Sequence, residues 1–144
     1  MPTYQKHMEQ AEHNGELLEF IGRDGAQTRF SDWYVTVVFY TALHYFEAML
    51  FKVKPSVQFG TLSATVEHSG SLSTFYVKHS EHQIRKKLMR TNFPQIYNPY
   101  RTLYEMSRTA RYDCHTPSTH NWADAEAYLD DVKRECETLV GNKK

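Results

Sequence analysis

Between Tyr104 and His115 the chain reads YEMSRTARYDCH, and four of its side chains could together handle a phosphate. Arginine offers a planar fork that matches phosphate oxygens. Histidine exchanges a proton near neutral pH. An imidazole that moves the 2′-hydroxyl or leaving-oxygen proton, beside a guanidinium that holds the charged phosphorane, could cleave RNA without a metal. With Tyr104 at 0° on a helix, Arg108 falls at about 40°, Arg111 at about 340° and His115 at about 20°. The four share one stripe, expected on a surface or in a groove. Arg108 and His115 are the candidate catalytic pair, and Arg111 and Tyr104 the candidate phosphate contacts. One helix rarely supplies a full site, so two copies across a dimer would be needed. The competing reading pairs both arginines with acidic flanking helices and leaves His115 at a helix C-terminus, where positive charge is favoured.

The formal net charge is zero, which argues against strong generic nucleic-acid binding. Yet residues 78–111 hold eight basic residues against two acidic ones, so one local anionic partner is permitted, the competing reading being that these bases pair with the acidic flanking helices. Arg85 and Lys86, within the run RKKLMR, join the candidate phosphate contacts. No metal or cofactor set is legible. His79 and His82 are spaced for a metal, but no carboxylate or thiol completes them. His44 reads as a buried, hydrogen-bonded histidine. The chain lacks GxGxxG, Walker A, HExxH and GxSxG patterns. Its two cysteines, Cys114 and Cys136, fit free thiols in a reducing, cytoplasmic setting. The polar N-terminus does not begin a signal peptide.

These groups need a scaffold, and 144 residues suit one domain with one core. Helical periodicity predicts a first helix over Tyr4–Ile21 and a loop at GRDGAQTRF. The next helix, capped by Ser31 or Asp32, carries WYVTVVFYTALHYFEAMLF with apolar residues almost all round. Such a helix is buried on more than one side and reads as a core helix rather than a membrane span. Residues 53–79 read as an irregular or small β insertion, with a hairpin turning near Ser69-Gly70-Ser71, or as a mobile loop. A third helix starts at Ser80 and runs to about Thr91, with Ile84, Leu88 and Met89 inward. A fourth starts near Pro94 or Pro99 and ends near Tyr112, with Leu103, Met106, Ala110 and Cys114 as its buried stripe. The last covers Trp122–Val140, with Ala125, Tyr128, Leu129, Val132 and Cys136 inward, and ends at Gly141. The fold class is all-α, an up-and-down bundle of four to five helices.

Three stretches resemble the HEPN superfamily of small α-helical proteins: DWYVTVVFYTALHYFEAML, HSEHQIRKKL and YRTLYEMSRTARYD. The closing WADAEAYLDDVKREC is similar to that family's last helix. The resemblance covers roughly Asp32 to Val140. It implies a helical bundle, usually dimeric, linked to RNA or nucleotides, often in toxin–antitoxin or defence settings. Many members are metal-independent ribonucleases with Arg, four to six residues, then His; Arg108 and His115, with six between, fit the edge of that range. The alternative is a non-catalytic helical module that docks a partner protein.

Overall fold

A computed structural model of the chain describes residues 2–59, 61–73, 78–112 and 121–142. Helix α1 (Tyr4–Gly22) is capped by Thr3, whose hydroxyl accepts from the Lys6 amide. The stretch expected as a loop contains a one-turn helix, α2 (Ala26–Arg29), entered through Gly25 at φ 70°, a conformation glycine adopts without strain.

Helix α3 (Ser31–Val53) is the axis of the bundle. It packs against α1, against α5 (Pro94–Tyr112) and against α6 (Trp122–Asn142). Val35, Val38, Phe39, Ala42, Phe46 and Leu50 have no exposed surface. They point to different neighbours, which is why apolar residues run almost all round this helix. α3 is long and apolar enough to cross a membrane, but 72% of its most apolar stretch is buried inside the bundle.

After α3 comes a small antiparallel hairpin, β1 (Ser56–Phe59) with β2 (Leu62–Thr65), in the register Ser56↔Thr65 and Phe59↔Leu62. It turns ten residues earlier than the sequence suggests. Ser69-Gly70-Ser71 lies instead in a 3-10 turn, Ser69–Leu72, because the His68 side chain accepts the Gly70 amide and opens that turn. Val57, Val66 and Leu72 are buried in the common core, so this segment is packed against the helices.

Helix α4 (Glu81–Asn92) begins with a full capping box between Ser80 and Gln83. α5 starts at Pro94 and carries Pro99 within it. Its inward side is Ile96, Tyr100, Leu103 and Ser107, with Met106 and Ala110 half-buried; the expected Cys114 lies outside the described residues. α6 buries Ala125, Val132 and Cys136, half-buries Tyr128 and Leu129, and runs past Gly141 to Asn142. The architecture is the all-α bundle expected from the sequence, with the small β insertion between the second and third long helices.

Candidate functional site

The most polar point of the core is Glu47 on α3, which has no exposed surface. Burial alone would raise its carboxyl pKa, but Arg85 and His68 more than compensate and hold it below the usual range. The Arg85 Nε donates to Oε1 at 2.8 Å. The Ser69 amide donates to Oε2 at 3.1 Å, and His68 Nε2 stands 3.5 Å from the same oxygen. Glu47 thus joins three segments: α3, the 3-10 turn and α4.

Two more histidines complete the cluster. His7 of α1 and His44 of α3 meet Nδ1 to Nδ1 at 3.0 Å, so one ring donates and the other accepts. His44 is the hydrogen-bonded histidine expected from the sequence, half-buried rather than buried. His7 is 4% exposed and stacks on His68 at 5.4 Å between ring centroids. Burial pushes the His7 pKa down to about 4, so it is neutral at pH 7. Its Nε2 is buried without a hydrogen-bond partner. His7, Glu47 and His68 each bring a ligand atom within 4.8 Å of the others. Histidines 7, 44 and 68 are scattered in sequence, and no local spacing announces the set.

On the outer side of the same network, Arg85 Nη1 lies 3.4 Å from His82 Nδ1. His82 packs against the Phe39, Tyr40 and Tyr104 rings. Burial, then the Arg85 and Arg111 charges, lowers its pKa. With Nδ1 accepting from a guanidinium, the His82 proton sits on Nε2. In that state the ring is a hydrogen-bond donor, not a base.

Beyond His82 the surface of α4 and α5 is basic and aromatic. His79, Gln83, Lys86, Lys87, Arg90 and Tyr97 line a groove of about 240 Å³. The Lys86 ammonium sits 4.1 Å above the Tyr104 ring. On α5, Tyr97, Arg101, Tyr104 and Arg108 follow at i, i+4, i+7 and i+11, so rings and guanidiniums alternate along one face. Arg101 and Arg108 are exposed.

The sequence-derived site residues are divided by this geometry. Arg108 stands exposed, and among the described residues it makes no ion pair. Arg111 does not share that open surface: it is half-buried, donating to the Tyr40 hydroxyl at 2.8 Å and to the Ser107 carbonyl. Tyr104 is half-buried too, against Phe39 and His82. Arg85, expected on the basic surface, is instead a buried partner of Glu47. Its helix carries basic residues on several sides, and the one that turns inward is the one opposite a buried carboxylate. Lys86 is on the basic face as expected. His115 lies outside the described residues.

No family model matches the chain, and no curated protein or solved structure resembles it significantly.

Proposed function

We propose that this protein is a HEPN-like domain that binds RNA or a nucleotide-bearing partner through the α4–α5 face. The observation that carries this reading is the interleaving of cations with rings. Lys86, Lys87, Arg90, Arg101 and Arg108 supply charge along a face that also carries Tyr97 and Tyr104. Phosphates take the cations, and bases find aromatic faces and edges. With Nδ1 taken up by Arg85, His82 presents a donor, which favours binding over proton transfer at that point. A ribonuclease function would rest on Arg108 with His115, in the toxin–antitoxin or defence setting that the resemblance implies.

The test is fluorescence anisotropy with a labelled single-stranded RNA. Binding is expected at 50 mM salt, weakening steeply as salt rises. Arg90→Ala and Arg108→Ala should each weaken it and lower the salt slope by about 1. No binding at low salt overturns the proposal. Cleavage is scored in the same samples in EDTA; if it occurs, His115→Ala should slow it by ~10²–10⁴-fold, and Arg108→Lys should also impair it, since a point charge does not replace the fork.

A second reading, docking of a partner protein, is favoured by a separate observation. Leu17, Phe20, Phe30 and Trp33, from the end of α1 to the start of α3, are all exposed, Phe20 at 68% and Trp33 at 63%. A second copy of the chain is one candidate to cover them.

A further inference from the structure

We propose that His7, Glu47 and His68 bind a divalent transition-metal ion of the zinc type, which fastens α1 and the 3-10 turn to α3. The three ligands come from three separate segments, and every ligand atom lies within 4.8 Å of the other two. His68 Nε2 and Glu47 Oε2, at 3.5 Å, already stand at about the spacing of neighbouring ligands around a tetrahedral ion. The wider pairs close by up to roughly 1.4 Å when bonds of ~2.1 Å form.

His7 is the second observation that points to a ligand. It is buried, and its Nε2 has no hydrogen-bond partner. Its other nitrogen meets His44 Nδ1 at 3.0 Å. If His7 donates there, Nε2 carries the lone pair a metal needs, and His44 is the outer partner that orients a metal-binding imidazole. Two imidazoles and one carboxylate suit zinc and its neighbours over magnesium, which prefers oxygen and keeps its water. Water would take the fourth position.

Two features of the cluster oppose the ion, and both have measurable consequences. His68 Nδ1 accepts from the Gly70 amide, so its proton now sits on Nε2. Coordination through Nε2 moves that proton to Nδ1 and opens the Gly70 bond. One neutral hydrogen bond is small beside the affinity of such a ligand set. Arg85 keeps its bond to Oε1, and Oε2, which also accepts from the Ser69 amide, keeps a second lone pair for the ion, but the Arg85 charge remains close. That repulsion should make the site weaker than one with an unpaired carboxylate.

The experiment is titration of zinc chloride into EDTA-stripped protein, read by calorimetry and by amide NMR. One zinc per chain is expected, with the Gly70 amide resonance shifting as its bond opens. Magnesium chloride should produce neither effect. His7→Gln and His68→Gln should each weaken zinc binding by at least ~10-fold. His13→Ala, at an exposed histidine outside the cluster, should bind like the parent. The proposal is overturned if zinc does not bind at tens of micromolar, if the Gly70 resonance stays put at saturation, or if His13→Ala is the variant that loses binding. Should a cluster variant fail to fold, the Gly70 shift in the parent protein still decides the question.

Discussion

A carboxylate with no exposed surface survives in an apolar bundle because each of its oxygens has a donor, and one donor is a cation. Removing one member of such a pair leaves an uncompensated buried charge. Arg85→Ala should therefore destabilise the fold by about 3–5 kcal/mol, read by urea denaturation. The double variant Glu47→Leu/Arg85→Met should recover much of that loss, since well-packed apolar substitutes remove the desolvation penalty altogether. Cys136 illustrates the opposite chemistry. It is 3% exposed, and burial pushes its thiol up, away from the reactive thiolate. In native protein at pH 8 it should resist a thiol-specific reagent and react once urea unfolds the chain. At this scale the sequence speaks unevenly. Hydrogen bonding at His44 could be expected from its place on an apolar helix. Arg85 could not, because its partner lies 38 positions away on a different helix.

The helices themselves are legible because each rests on short-range rules. Ser80 before EHQ foretells the capping box at the start of α4, and Pro94 foretells the start of α5. Ser80→Ala should cost about 1 kcal/mol through the lost cap. The hairpin is less legible, since its stability comes from elsewhere in the chain. Asn92, at the end of α4, accepts the Gln58 amide at 2.7 Å and donates to the Gln58 carbonyl at 2.9 Å. Its side chain occupies the free edge of β1 much as a further strand would. Asn92→Ala should loosen β1 by about 1–2 kcal/mol, seen as faster hydrogen exchange at Gln58 with little change in the helices.

At the scale of the whole molecule, periodicity was enough for the bundle because one helix, α3, is apolar on most sides and the others are amphipathic around it. The site was harder to read. The candidate site residues, a stripe on α5 joined by Arg85 and Lys86 of α4, divide among a buried pair, a half-buried contact with Tyr40 and an exposed face, and that division depends on how α3, α4 and α5 meet. The exposed apolar residues from Leu17 to Trp33 bear on assembly. Light scattering at micromolar concentration is expected to give a dimer, and Phe20→Ser/Trp33→Ser should shift it towards monomer if that surface is the interface.

The central position of α3 also matters while the chain is being made. Its last residue, Val53, leaves the ribosome roughly 70 residues ahead of Trp122, where its α6 partner begins. At typical elongation rates that is a delay of roughly 3–14 s. For that interval the most apolar helix of the protein has α1 beside it but not α6, and until Arg85 emerges Glu47 also lacks its cation. A nascent chain stalled before Trp122 should therefore be a better chaperone client than the finished protein, and a fragment ending there should aggregate when expressed alone.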